Sequence, residues 1–326
     1  MRNNKILYIV VPCYNEEEVL PESSKELKEI VENLVSNGQI APESKIMFVN
    51  DGSKDKTWEL IQDLHKESSV FTGITLSRNR GHQNAVLAGM YAASKYADMV
   101  ITIDADLQDD PICISQMVEK YHEGYDVVSG VRNDRKSDTF FKRVTAQAYY
   151  KFMKMMGVDL IYNSADCRLL SKVACNALFE YKEVNLFLRG LVPLIGYKST
   201  TVEYPRNERK AGESKYGLKQ MLALAGQGIT SFSLKPIKFI RNLGFLFFFG
   251  GLLSLFLCSC LGYYWLNSGI ILPFNVDLSV ILNVMFVVLG ILLLAIYIVG
   301  EYIGKIYLEV KERPKYFIER NLEEEK

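Results

Sequence analysis

The sequence predicts an α/β domain on a mainly parallel sheet, followed by interfacial helices and a two-helix transmembrane hairpin. Three observations carry this. Short β-branched runs alternate with amphipathic stretches from Ile6 to Ser129, the pattern of strands crossed over by helices. Four successive strands stop on polar loops, which gathers those loops at one edge of one sheet, where open α/β sheets bind ligands. Near the C-terminus, Leu243 to Leu266 and Ser279 to Gly300 contain no charged residue, and each as a helix is long enough to cross a hydrocarbon core of roughly 30 Å.

Ile6 to Val11 is the first strand, ended by Pro12; Cys13-Tyr14-Asn15-Glu16-Glu17-Glu18 then opens a helix with an acidic first turn, running to about Ser36. Lys45 to Val49 is the second, ending on Asn50-Asp51-Gly52-Ser53-Lys54-Asp55 before a helix from about Lys56 to His65. Phe71 to Leu76 is the third, ending on Ser77-Arg78-Asn79-Arg80-Gly81-His82-Gln83 before a small-residue helix, Asn84 to Lys95. The fourth, Val100 to Ile103, stops on Asp104-Ala105-Asp106-Leu107-Gln108-Asp109-Asp110, and Pro111 suits the first turn of a helix reaching about Glu123. Asp126 to Ser129 is the fifth. The first turn lacks GxGxxG, which disfavours a hydride-transfer enzyme.

Side chains two apart on an extended chain point the same way, so Asp104 and Asp106 are expected to face one divalent cation, with Gln108 next on that side. A hard cation held by one or two carboxylates plus phosphate oxygens is the usual way Mg²⁺ is used. The competing reading is that these acids cap the helix near Pro111, a task for which Asp109 and Asp110 suffice.

Hydrophobic residues make up 49% of the chain and the formal net charge is zero, which points away from a nucleic-acid partner and from a disordered chain. The six cysteines show no CxxC spacing, so neither a zinc site nor a disulfide framework is indicated. Lys235, Lys238 and Arg241 precede the first uncharged run, and Lys305, Lys311, Arg313, Lys315 and Arg320 follow the second, whereas the connector from Asn267 to Leu278 has no Lys or Arg. The positive-inside rule then puts the large domain and both termini in the cytoplasm. The expected division is a catalytic domain over 1–212, interfacial helices over 213–241, the two spans within 242–300 and a cytosolic tail over 301–326.

The series Val11-Pro12-Cys13-Tyr14-Asn15-Glu16, then Asn50-Asp51-Gly52-Ser53-Lys54-Asp55, then Asp104-Ala105-Asp106 resembles the family 2 glycosyltransferases of GT-A fold. Phe187-Leu188-Arg189-Gly190, the basic stretch Arg206 to Tyr216 and the two-helix tail extend the resemblance to their polyprenyl-phosphate group, which includes dolichyl-phosphate mannose synthase and the bactoprenol glucosyltransferases. The resemblance implies transfer of one sugar, with UDP-glucose the leading donor, to undecaprenyl phosphate with inversion at the cytoplasmic face of the cell membrane. UDP-N-acetylglucosamine or another hexose donor is the alternative, and a non-catalytic scaffold in lipid-sugar export is the rival from another class.

The resemblance also implies residue roles. Pro12, Tyr14, Glu16 and Asp51 bind the donor nucleotide, although turn and capping chemistry explains Asp51 and Glu16 as well. Asp106, with Gln108, holds Mg²⁺ or Mn²⁺, and Asp104 touches the donor ribose or sugar. Arg132, Arg143, Arg206, Arg209 and Lys215 meet phosphates of donor or lipid. Asp166 orients the sugar or the acceptor phosphate, because a lipid monophosphate, with a second pKa of roughly 6, needs little proton removal. A homo-oligomer is suggested by the resemblance alone.

Overall fold

A computed structural model describes residues 5–132, 163–183, 187–205, 240, 242 and 278–325. The alternating pattern folds as expected through its first half: β1 (Leu7–Cys13), α1 (Leu20–Ser36), β2 (Lys45–Asn50), α2 (Thr57–Glu67), β3 (Phe71–Leu76), α3 (His82–Ser94), β4 (Met99–Thr102), α4 (Cys113–His122) and β5 (Val127–Arg132). Beyond it lie β6 (Ser164–Ser171), α5 (Lys172–Phe179), α6 (Leu188–Leu194), β7 (Ser199–Tyr204), α7 (Leu278–Val310) and β8 (Ile318–Asn321).

The strands form one sheet in the order β7-β5-β6-β4-β1-β2-β3-β8. β1 pairs parallel with β2 and β4, β2 with β3, and β5 with β7. β6 runs antiparallel between β4 and β5, and β8 antiparallel along β3, so the sheet is mixed while its central strands are parallel. Both faces are covered, which is why β1 reads as a continuous apolar run. Leu7, Ile9 and Val11 enter the layer that holds Leu27, Ile61 and Ile114 of α1, α2 and α4. Tyr8 and Val10 enter the layer under α3, α5 and α6, with Ala85, Leu178 and Leu191. Gly89 lets α3 sit close to the sheet, since a Cβ there would run into Val10 and Val49 side chains.

Three expectations change. The first helix starts at Leu20 rather than just after Cys13, because the intervening residues are held by the loop after β2. The stretch around Asp166, expected only as a motif near the acceptor, is a strand inserted into the sheet. The segment expected as a tail contributes β8, and Leu322 just beyond it is 6% exposed in the core.

The first expected span, 243–266, and most of 213–241 lie outside the described residues. The second, 279–300, falls within α7, which shows Val288, Leu292, Ile296 and Tyr297 exposed and continues through Glu301, Lys305 and Glu309. Among the described residues, no helix is long and apolar enough to cross a membrane.

Candidate active site

The loops after β1 and β2 are joined by reciprocal hydrogen bonds. Asn15, at φ 52, accepts the Lys54 N–H at 2.9 Å through its Oδ1 and donates its own N–H to Ser53 Oγ at 3.0 Å. The Glu16 N–H donates to Thr57 Oγ1 at 2.9 Å, and the Lys56 N–H to Glu17 Oε2 at 3.1 Å. Asn50 donates from Nδ2 to Thr75 Oγ1 at 2.8 Å and accepts the Ser53 N–H at 3.1 Å. An amide, which both donates and accepts, is what this position uses.

The loop after β3 closes on the same place. Gly52, at φ 63, lets it approach, since a Cβ there would lie 2.5 Å from the Asn79 backbone nitrogen. Asp51 is 2% exposed and accepts the N–H groups of Arg80 at 2.7 Å and Gly81 at 2.9 Å. Burial pushes its pKa up, and those two N–H groups oppose the rise without cancelling it. Asp51 thus shapes the wall of the candidate nucleotide site. Pro12 lies within β1 opposite Val49, the strand continuing to Cys13 opposite Asn50, with Tyr14 half-buried just beyond. The carbonyl of Glu16 accepts the Val19 and Leu20 N–H groups, so its backbone starts α1 whatever its side chain does.

At the centre, β4 ends at Thr102 and the chain turns rather than staying extended. The Leu107 N–H closes on the Asp104 carbonyl at 3.2 Å, and Leu107 takes φ 45. A turn, and not the extended chain expected from the sequence, therefore positions Asp104 and Asp106. Asp106 Oδ1 accepts the Gln108 N–H at 3.3 Å. Asp110 accepts the Ile112 N–H at 3.0 Å in a turn just ahead of α4, whose first residues take no side-chain cap. Asp104 Oδ1 lies 3.6 Å from His82 Nε2 at the start of α3. Burial, then the charges of Asp166, Asp109 and Asp106, push the Asp104 carboxyl up to about 6 against the opposing pull of His82.

Asp166 enters this cluster from β6, where its carbonyl accepts the Thr102 hydroxyl at 2.8 Å. Arg189, at the start of α6, forks onto it with Nε at 3.0 Å from Oδ1 and Nη2 at 2.8 Å from Oδ2. Arg168 adds Nη2 at 2.9 Å from Oδ1. Burial alone would raise the Asp166 pKa, but the two guanidiniums override it and hold the carboxyl far below the usual carboxylate range. Arg132 is the last residue of β5 rather than a loop residue, and it donates from Nε to the buried Asp109 at 2.7 Å, so its first partner is protein. Arg143, Arg206, Arg209 and Lys215 lie outside the described residues.

The structure therefore brings Asp104, Asp106 and Asp166 to one strand-end cluster and sets Asp51 beside it through the segment Arg80-Gly81-His82. Two participants, Arg168 and Arg189, have no role assigned from the sequence, Asp109 is expected from it only as a helix cap, and His82 equally as a cap or a catalytic group. Arg189 had a signal, its place in Phe187-Leu188-Arg189-Gly190, but nothing in sequence links it to Asp166.

Among the described residues, no group of three or more His, Cys, Asp or Glu side chains is arranged to hold a metal by itself. The donor set does fit a hard dication shared with phosphate oxygens. Asp166, Asp109 and Asp106 raise the proton affinity of Asp104, and an added cation relieves that repulsion.

Residues 8–179 match the model of glycosyl transferase family 2. The chain is 49% identical to an uncharacterised glycosyltransferase of Bacillus subtilis, YkoT, over 98% of this chain and 93% of that one. It is 36% identical to the bactoprenol glucosyl transferase of Shigella phage SfII over 96% of this chain and 97% of that one. A solved structure, the mannosyltransferase PcManGT from Pyrobaculum calidifontis, is similar at a TM-score of 0.48 and 17% identity, covering 72% of this chain and 65% of that one. With a family match across its strand-end site and relatives aligned from end to end, this chain belongs to glycosyl transferase family 2 and has a GT-A-like α/β fold.

Proposed function

We propose that this glycosyltransferase moves one sugar, glucose from UDP-glucose in the leading case, onto a polyprenyl phosphate such as undecaprenyl phosphate, with inversion, at the cytoplasmic face of a membrane. The observation that carries the reading is the end-to-end similarity to a bactoprenol glucosyl transferase, which extends past the sheet into the uncharged C-terminal runs. Those runs support a two-span anchor at 243–266 and 279–300, with the sheet facing the cytoplasm.

The chain's own groups suit such a transfer. Asp51 and the loop it grips bound the nucleotide, and Asp104, beside His82, is placed for the ribose or sugar. Asp106 and Gln108 would hold Mg²⁺ or Mn²⁺, which when bound neutralises charge on the departing diphosphate. One acceptor phosphate oxygen forms a bond to the anomeric carbon as the bond from that carbon to the diphosphate breaks, and the nucleoside diphosphate leaves with the electron pair. No proton has to be removed from a largely ionised phosphate monoester. Asp166, held ionised by Arg189 and Arg168, is a poor base, and its service is orientation.

The test is transfer of radiolabelled sugar from UDP-glucose, UDP-N-acetylglucosamine, UDP-galactose and GDP-mannose to undecaprenyl phosphate in detergent. The expected result is an organic-extractable product from one donor, lost in Asp106→Ala. No transfer from any donor, or full activity in Asp106→Ala, would overturn the reading.

A further inference from the structure

The C-terminal segment reaches back to the donor side of the sheet. β8 lies along β3 with Asn321 opposite Ile74, Arg320 opposite Thr75 and Ile318 opposite Leu76. The Leu322 N–H donates to the Gly73 carbonyl at 2.9 Å and buries the Leu322 side chain in the core. At the other end of the strand, the Ser77 N–H donates to the Phe317 carbonyl at 3.1 Å. Ser77 is the residue from which the loop to His82 departs. Arg80 in that loop sets its guanidinium 5.9 Å from the centre of the Phe317 ring.

That loop has two attachments on its far side. Its Arg80 and Gly81 N–H groups hold Asp51, and His82 follows directly, 3.6 Å from Asp104. Close packing of Asn79 against Gly52 leaves it no slack. The segment is also tied down upstream, where Lys315 donates to the Tyr181 carbonyl at 3.0 Å, five residues after α7 ends at Val310. A strand laid along an edge fixes backbone position through its ladder, and here the last rung of that ladder is the first residue of the donor-side loop.

We propose that residues Lys315 to Leu322 are a positioning element for the donor site: by holding Ser77 and Arg80 they set the loop that grips Asp51, and so set affinity for the nucleotide. The proposal rests on the reading of the Asp51 loop as the nucleotide site. It also gives the end of α7 a mechanical connection to the substrate side of the sheet, with no contact to the reacting atoms. The residues that do the positioning belong to a region the motifs of the family do not mark.

The test uses the full chain in detergent with two variants, Phe317→Ala and Ile318→Pro, alongside a chain ending at Arg313. UDP binding is measured by calorimetry, the lipid KM and kcat by turnover, and the thermal midpoint by scanning. Ile318→Pro and the shortened chain are expected to raise the Kd for UDP about tenfold, the size of a weakened Asp51 grip on the Arg80 and Gly81 N–H groups, and Phe317→Ala about threefold, the size of one exposed cation–π contact, with the lipid KM unchanged. A peptide covering 314–326 is expected to restore UDP affinity to the shortened chain. Unchanged UDP affinity in Ile318→Pro and Phe317→Ala would overturn the proposal, and so would a fall in lipid and UDP affinity together with the thermal midpoint. Failure of the wild-type chain to bind UDP or GDP would instead overturn the reading of the nucleotide site itself, and this proposal with it.

Discussion

Replacing Arg189 by Ala removes a fork that the sequence alone does not connect to the site. Arg189 gives two charge-assisted hydrogen bonds to Asp166, at 3.0 and 2.8 Å. Such bonds contribute about 1.5–3 kcal/mol each. Both side chains are about 30% exposed, and Arg168 stays behind to hold Oδ1, so the lower end applies and the net loss is about 2–3 kcal/mol. If Asp166 orients acceptor or sugar, that loss is felt in the transition state as a drop in kcat/KM of about 30- to 150-fold. The pH profile adds a second readout. In the wild type, Asp166 has a lowered folded pKa, so its contribution is present above the unfolded value of roughly 3.9 and is lost only well below it, leaving the rate free of an Asp166 limb from pH 5 to 9. In Arg189→Ala the burial that the guanidiniums now override gains weight, the pKa rises, and an acid limb is expected to enter the profile. Arg189→Lys keeps the charge but loses the fork and is expected to fall between the two. An Arg189→Ala enzyme within threefold of wild type, with an unchanged pH profile, would refute the orienting role of Asp166.

Asp51→Asn presents an amide NH₂ to one of two backbone N–H donors, so the grip on Arg80 and Gly81 is halved and calorimetry is expected to show UDP binding weakened about tenfold. Gly52→Ala meets both a positive φ and the Asn79 backbone, and is expected to lower stability by about 1–3 kcal/mol in urea unfolding and to weaken UDP binding as well. Gly89→Ala overpacks α3 against the Val10 and Val49 side chains, with a similar loss of stability of about 1–3 kcal/mol but an unchanged UDP affinity in the variant that remains folded. Removal of divalent cations with a chelator is expected to abolish transfer and to be reversed by Mg²⁺ or Mn²⁺, measured by the same radiolabel assay.

The run of elements from Leu7 to Val128 could be read along the chain because each strand is a short β-branched run followed by polar turn chemistry, and each helix has its own apolar stripe. Phe71 to Leu76 matches its expected bounds for that reason. The strand-end acids were visible because a carboxylate that interrupts an apolar run has no place in a core. β6 carries the alternation of a strand, Ala165, Cys167 and Leu169 against Ser164, Asp166 and Arg168, but its charged residues read as a site motif; they are tolerated in the sheet because Asp166 accepts hydrogen bonds from both Arg168 and Arg189. β8 was hidden for a related reason, since Ile318-Glu319-Arg320-Asn321 is a polar edge strand with two charges, which suits an edge but carries no burial signal.

By itself, then, the sequence determined the α/β architecture of the first half, the run of polar strand-end loops and the place of Asp104 and Asp106 among them, because these follow from hydrophobic periodicity and local turn chemistry. Only the tertiary structure decided the rest. It turned the chain after Thr102 so that Asp104 and Asp106 lie in a turn, it forked Arg189 onto Asp166 across 23 residues of chain, and it laid β8 beside β3 from the far end of the sequence. Contacts between residues distant in the chain depend on where whole elements pack, and no local pattern of residues records that.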